Sequence, residues 1–215
     1  MNKKYSKKEE EFSGISDMLE GRHHVIPIMS NDDEEAAEKV DIPQILPILT
    51  LRSSVLFPGS ITPITVGREK SMKLVREVEG VGGILGAVLQ KEPEVEQPGP
   101  DDLYRIGTAA RILKVLEMPN GNLTVILHGL EKVEISEFVV SEPYFKASVA
   151  TLKDSAPDQN NIEFEALVDS IKDVALNIIN VSPQMPKEAT FAIKNIDNKR
   201  GIINFICSNL DLPDS

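Results

Sequence analysis

Apolar residues first concentrate in two short runs, Ile45–Leu51 and Ile61–Val66. Val, Ile, Leu and Thr dominate both runs, as is typical of strands, and Pro58-Gly59 between them is a strong turn signal. The pattern predicts that residues 44–67 form two strands joined by a short ordered loop at residues 52–59. We expect this strand pair to open the folded part of the chain.

The segment that follows changes to a helical period. Met72, Val75 and Val78 recur at three-residue spacing with Leu74 beside them, which predicts a short amphipathic helix over residues 68–79. A continuous apolar run at residues 83–89 then predicts a strand that is buried on both faces.

Further β-rich runs occupy residues 104–117, 122–130, 131–140 and 144–152. Asn120-Gly121 separates the first two and predicts a long hairpin, because both residues tolerate positive φ. Residues 44–152 thus hold about seven strands and one helix, without regular βαβ alternation. This order favours an α+β fold built on a small β-barrel over a doubly wound parallel sheet.

A polar linker at residues 153–160 leads into a region with a period of about 3.6 residues. One face of a predicted helix of about 20 residues carries a row of apolar side chains: Phe164, Leu167, Val168, Ile171, Val174, Ala175 and Ile178. Two shorter helices are predicted at residues 187–195 and 198–210. So much apolar surface needs a partner, so we expect residues 161–215 to be the start of a truncated helical bundle.

Residues 1–43 have a different composition, with six Lys or Arg and eleven Asp or Glu. Tyr5 and Phe12 are the aromatic residues of this segment. Because it can bury little apolar area to offset its ordering entropy, we predict a disordered acidic tail.

Overall charge and composition narrow the partners and the compartment. A net charge of -11 and a pI near 4.8 disfavour general nucleic-acid binding, because like charges repel the phosphate backbone. The single cysteine, Cys207, fits a reducing compartment. No apolar run approaches the roughly 18 residues of a membrane-spanning helix. The sequence therefore predicts a cytoplasmic protein that has no membrane partner.

Motifs for catalysis, cofactors or metals do not emerge from the sequence. Residues 67–71, GREKS, lack the GxxxxGK[ST] spacing of a phosphate-binding loop, and Glu69 would oppose a phosphate. The potential metal ligands are scattered at His23, His24, His128 and Cys207, and Cys207 is predicted to be a small core residue. We therefore predict no catalytic, cofactor-binding or metal-binding residue, and a binding module is the favoured class.

Three longer stretches identify a family resemblance. They are LPILTLRSSVLFPGSITPITVGREKS at residues 46–71, QKEPEVEQPGPDDLYRIGTAARIL at 90–113 and MPNGNLTVILHGLEKVEI at 118–135. Together they closely resemble the amino-terminal domain of the bacterial Lon family of ATP-dependent serine proteases. The resemblance covers residues 44 to about 212, and several spaced motifs agree in order and distance.

The resemblance implies a PUA-like β-barrel followed by the start of a helical bundle. In this family the region is implied to recognise unfolded or damaged proteins and to support assembly of a homohexamer. An AAA+ module with ATP and Mg²⁺ then unfolds the client, and a Ser-Lys dyad cleaves it. Neither the Walker motifs nor the dyad lies in this sequence, so this chain alone is expected neither to hydrolyse ATP nor to cleave protein.

A client-binding surface should be apolar, because unfolded proteins expose apolar segments. We predict that the Val55, Leu56 and Phe57 loop contacts clients, together with Met118 and Leu123 near the end of the hairpin. The alternative, that Val55, Leu56 and Phe57 cap the barrel core, has equal weight, since exposure cannot be read from the sequence.

Two other functions remain open from the sequence. A PUA-like barrel can bind RNA, and a local basic patch is available at Arg52, Arg68, Lys70, Lys73 and Arg76. Residues 44–215 nevertheless carry 17 basic against 23 acidic residues, which argues against this function. The second is a stand-alone adaptor without a protease, against which the helical continuation argues.

Overall fold

The structure is a computed structural model that describes residues 40–79, 83–153, 161–182, 188–196 and 198–208. Most of the predicted tail and of the predicted linker therefore lies outside the described residues.

Six strands form a single sheet: β1 (Ile45–Leu51), β2 (Ile61–Val66), β3 (Ile84–Leu89), β4 (Ile106–Glu117), β5 (Leu123–Val140) and β6 (Lys146–Thr151). Their order is β2-β5-β4-β3-β1-β6. β1 and β3 pair in parallel, whereas the other described pairs are antiparallel. The described helices lie between and after groups of strands without regular alternation, so the predicted α+β class is confirmed.

β5 corrects the sequence-based division of this region. It is one strand of 18 residues, where two strands had been predicted at residues 122–130 and 131–140. No turn residue follows Leu130 to reverse the chain, so the strand continues and changes partner instead. Its first part pairs with β2, from Leu123 to His128, and its last part pairs with β6, from Val133 onward. Because β6 also pairs with β1, the pairings make a closed circuit through β1, β3, β4, β5 and β6.

A single helix, α1 (Glu69–Glu79), follows β2 and packs against the sheet. Leu74, Val75 and Val78 of α1 are buried in a core cluster with Leu49 and Leu51 of β1. Met72 is only partly buried, so the buried face is turned slightly from the predicted one towards Leu74.

A second cluster lies on the opposite side of β1 and β3 and includes Leu46, Ile48 and Val88. Since side chains alternate between faces, these two strands are buried on both sides, as predicted for residues 83–89.

The carboxyl-terminal part contains α2 (Ile162–Val181), α3 (Glu188–Asn195) and α4 (Lys199–Ser208). Asn161 caps α2, since its side-chain oxygen accepts from the Phe164 N–H at 3.0 Å. Six buried residues form a separate core here: Val168, Ile179, Ile193, Ile196, Ile202 and Phe205. Asn204 Nδ2 of α4 donates to the Pro58 carbonyl oxygen at 3.1 Å, which links this helical part to the loop between β1 and β2.

The apolar row predicted on α2 is divided between two environments. Val168 is buried, whereas Leu167, Ile171, Val174 and Ile178 are 44–59% exposed. α3 and α4 are short and pack on the side of α2 that carries Val168 and Ile179, so they leave this row uncovered. Cys207 is exposed rather than a core residue, because α4 buries Ile202 and Phe205 on its other side.

Candidate functional site

The connection between β1 and β2, residues 52–60, is held in place by polar contacts and is called the anchored loop below. Thr108 Oγ1 on β4 donates to the Leu56 carbonyl oxygen at 2.6 Å in a buried position. Ser60 Oγ donates to the Phe57 carbonyl oxygen at 2.7 Å. The Gly59 N–H donates to the carbonyl oxygen of Gly129 on β5 at 2.9 Å. The bonds at Leu56 and Gly59 tie this part of the loop to β4 and β5 and so fix the position of its backbone.

The three apolar side chains of the anchored loop have different environments. Leu56 is 2% exposed and belongs to the core cluster under α1, so its side chain packs in the core and not at the surface. Val55 is 48% exposed, and Phe57 is half-buried. The sequence left two alternatives for this triplet, a client contact and a cap on the core. Leu56 has the environment of a cap, whereas Val55 faces outward.

Met118 and Leu123, the other two predicted contacts, lie at the far end of β2 from the anchored loop. Met118 is 43% exposed at the hairpin turn, whereas Leu123 is 1% exposed and forms part of the core. β2 separates the two places, since its residues pair with β5 from His128 back to Leu123. Six strand residues span roughly 20 Å. The structure therefore does not bring the hairpin and the anchored loop together.

A groove of about 950 Å³ adjoins the anchored loop and was not predicted from the sequence. It lies between β1 and β2, which do not pair with each other, and it is closed at one end by the start of α1. Apolar side chains including Ile48, Ile64 and Phe145 line it beside polar ones. One signal for it was present in the sequence: Pro63 lies within a strand, where proline is confined to an edge.

Arg68, the residue before α1, spans one side of this groove. Its guanidinium donates to Thr50 Oγ1 at 3.0 Å, to Gln90 Oε1 at 2.6 Å and to the Val95 carbonyl oxygen at 3.2 Å. Gln90 is only 1% exposed, and its Nε2 donates in turn to the carbonyl oxygens of Glu92 and Val95. Arg68 thus links the ends of β1 and β3 to the segment that follows β3.

The groove has an uneven charge distribution near Arg52. Burial and the nearby charge of Arg52 lower the pKa of Arg68, while Glu96 acts in the opposite direction. Arg52, Arg68 and Lys70 line the groove together with the carboxylates of Glu69 and Glu96, so basic side chains outnumber acidic ones there. Arg52 is exposed and has no ion-pair partner among the residues that the structure describes.

The basic residues that could have formed an RNA-binding patch are mostly engaged. Lys70 pairs with Glu142 at 2.6 Å, and Arg76 pairs with Glu117 at 3.2 Å. Arg68 is held by Thr50 and Gln90. Glu142 and Glu117 neutralise the positive charges of Lys70 and Arg76, which would otherwise attract RNA phosphates. This arrangement disfavours the RNA-binding alternative.

The residues present also do not fit a nucleotide or a metal ion. Residues 67–71 do connect a strand to a helix, but Glu69 is the first residue of α1 and places a carboxylate where a phosphate would bind. Within the described ranges, no group of three His, Cys, Asp or Glu side chains could hold a metal ion. None of the described helices is long and apolar enough to span a membrane.

Comparison with known proteins gives one consistent family. A model described as "ATP-dependent protease La (LON) substrate-binding domain" matches residues 45–215. A Lon protease of Flavobacterium johnsoniae is 49% identical over 188 residues, which are 87% of this chain and 23% of that protein. A Lon protease of Parabacteroides distasonis is 40% identical over 189 residues, which are 86% of this chain and 23% of that protein.

A solved structure supports the fold as well. The "N terminal domain of Mycobacterium avium complex Lon protease" matches 77% of this chain and 100% of that chain, with a TM-score of 0.50 and 13% identity. The chain spans about a quarter of the length of the Lon proteases that it matches. Since the family model covers all of the described strands and helices, the chain belongs to the family of Lon substrate-binding domains.

Proposed function

We propose that this chain is the substrate-recognition and assembly region of an ATP-dependent serine protease that degrades misfolded, damaged and selected regulatory proteins in the cytoplasm. The observation that carries this proposal is membership of the Lon substrate-binding domain family over residues 45–215. ATP and Mg²⁺ would serve an ATPase module, and peptide hydrolysis would take place in a peptidase module. Neither activity is assigned to the residues of this chain.

The sheet is proposed to be the PUA-like β-barrel that the resemblance implies. The closed circuit of strand pairings supports this, since a circuit of paired strands is what distinguishes a barrel from an open sheet. The corresponding division of the chain is an acidic tail at residues 1–43, a barrel at 44–152, a linker at 153–160 and the start of a helical bundle at 161–215.

Client proteins are proposed to bind at the anchored loop through Val55 and Phe57, with Met118 as a separate, weaker contact. Val55 is exposed although it is apolar, and its neighbour Leu56 fixes the loop to the core. A rigid apolar surface binds an unfolded chain without the entropic cost of ordering its own loop. Leu56 and Leu123 support the surface from beneath and do not contact the client.

Assembly into a homohexamer is proposed for the complete protease. The exposed apolar row of α2 supports a role of the helical part in packing against other protein surface, since an amphipathic face of this kind is stabilised by burial.

The experiment is a binding titration with a permanently unfolded, reduced and alkylated protein, followed by fluorescence anisotropy. V55S should weaken binding several-fold and leave the melting temperature unchanged. V139S is the matched control, because Val139 on β5 is 45% exposed and lies outside the anchored loop. Equal binding by V55S and the unchanged protein would refute the role of Val55, and no binding by the unchanged protein would refute the proposed function.

A further inference from the structure

One edge of β2 has no strand partner among the residues that the structure describes. β2 pairs with β5 on one side and ends the strand order on the other. The Gly129 N–H donates to the Ser60 carbonyl oxygen at 2.9 Å, so the backbone of Ser60 faces β5. Backbone groups of an antiparallel strand alternate in direction, which turns Thr62, Ile64 and Val66 toward β5. Ile61, Pro63 and Thr65 therefore direct their backbone groups to the free edge.

Pro63 agrees with this assignment. It has no N–H to donate, and proline is tolerated on an edge strand at a position that faces away from the neighbouring strand. The edge therefore offers the carbonyl oxygens of Ile61, Pro63 and Thr65 and the N–H groups of Ile61 and Thr65. An extended polypeptide pairs with such an edge by strand addition.

The groove between β1 and β2 runs beside the free edge of β2 and provides space for an added polypeptide strand. Pro63, Ile64 and Thr65 line it on one side, and Thr50 and Arg52 line it on the other. Ser71, which is 9% exposed, also lines the groove and adds a hydroxyl group to its wall.

The charge at one end indicates what that chain carries. Arg52 is exposed and unpaired within the described ranges, whereas Arg68 is already held by three acceptors. A guanidinium group binds a carboxylate through charge-assisted hydrogen bonds. We propose that the groove binds an extended segment of a client polypeptide by strand addition to the free edge of β2, with an acidic side chain of that segment held by Arg52. This inference rests on the proposed function and specifies how part of the client is bound.

The test uses a fluorescent peptide of alternating Thr and Val with a single Glu, capped at both ends so that Glu supplies its carboxylate. Its twin carries Gln in place of Glu. We expect the Glu peptide to bind about tenfold more tightly than the Gln peptide, as one charge-assisted hydrogen bond predicts. Equal affinities of the two capped peptides would overturn the role of the acidic side chain. A Gln peptide with a free carboxyl terminus is a third probe. If it binds as tightly as the capped Glu peptide, the groove recognises a terminal carboxylate and the role of the acidic side chain is overturned as well.

Variants of the chain test the two sides of the groove separately. T65P removes an N–H from the free edge and should abolish peptide binding, whereas T65A keeps the N–H and should bind as the unchanged protein does. R52A should remove the preference for Glu over Gln, and R111A is its matched control, because Arg111 is exposed on β4 outside the groove. If T65P does not fold, as judged by circular dichroism, R52A alone decides.

Unfolded-protein binding, measured on the same preparations, separates this inference from the proposed function. One result would be that T65P still binds the peptide and R52A still prefers Glu over Gln, while V55S weakens binding of the unfolded protein. That result would overturn the proposed role of the groove and leave the proposed function standing. Failure of the unchanged protein to bind either probe would overturn both.

Discussion

Gly129 on β5 lies directly beneath the backbone of Phe57 in the anchored loop. A Cβ added at Gly129 would overlap the Phe57 carbonyl oxygen and lie 3.0 Å from its carbonyl carbon. The same glycine accepts a hydrogen bond from Gly59 and donates one to Ser60. The position of the proposed client-binding loop therefore depends on a residue without a side chain in the neighbouring strand.

G129A should consequently destabilise the fold by about 2 kcal/mol or more, because backbone on both sides must move to admit one methyl group. Urea denaturation gives the free energy of unfolding. G99A is the control, since a Cβ at Gly99 would meet only the Asp102 side chain, at 3.6 Å. A G129A variant as stable as the G99A variant would show that the loop does not lie against β5 in solution.

The Arg68 network gives a second stability prediction. R68A should cost about 1–3 kcal/mol, because the buried Oε1 of Gln90 and the Val95 carbonyl oxygen each lose a hydrogen-bond donor. R68K should recover only part of this, since an ammonium group cannot reproduce the planar fork of a guanidinium. K70A breaks an exposed ion pair and should cost less than about 1 kcal/mol in the same assay. Equal losses for R68A and K70A would contradict the network.

The hydrogen bond of Tyr144 leads us to expect that the free energy of unfolding falls at alkaline pH. Its hydroxyl donates to Glu77 Oε2 at 2.6 Å, and this hydrogen bond, burial and the charge of Glu77 raise the pKa of Tyr144 from 10.0 to about 12. The folded state holds the proton more tightly than the unfolded state does. The stabilisation is therefore complete below pH 10 and is lost as the pH rises to about 12.

Y144F should remove this part of the pH dependence, whereas Y104F, at an exposed tyrosine, should retain it. The free energy of unfolding measured across this pH window is the direct readout, and phenolate absorbance follows the ionisation itself. Identical pH profiles for Y144F and Y104F would show that the bond to Glu77 does not form.

α2 offers a matched pair of identical substitutions on its two faces. Val168 is 2% exposed and Val174 is 59% exposed. V168A should cost roughly 2 kcal/mol through lost burial and a residual cavity, while V174A should change the free energy of unfolding by less than about 0.5 kcal/mol. A comparable loss in V174A would mean that the exposed row of α2 is covered in solution.

These features differ in how far the sequence determines them. Periodicity located α1 and α2, because apolar side chains that recur every three to four residues are typical of an amphipathic helix. It could not say which side of α2 would be covered, since Leu167 and Val168 are equally apolar and the choice depends on where α3 and α4 pack. The sequence could not distinguish the exposure of Val55 from that of Leu56 for the same reason. The two residues are adjacent and chemically alike, but Val55 is exposed and Leu56 is buried.

The groove was missed for a different physical reason. It is formed by two strands that fail to pair, and a strand's partners follow from the topology of the sheet rather than from its own residues. Pro63 marked β2 as an edge strand, but the distance of Arg52, Arg68 and Ser71 from that edge depends on the fold. The long β5 was divided incorrectly although no turn residue separates its halves, because the change of partner from β2 to β6 depends on the topology of the sheet.

Hydrogen exchange of the chain with and without a bound unfolded protein tests most directly where clients are recognised. We expect slower exchange on binding at the backbone amides of residues 52–57 and at Thr65, with little change along α2. Protection confined to residues 162–181, with residues 52–57 and Thr65 unchanged, would contradict this expectation.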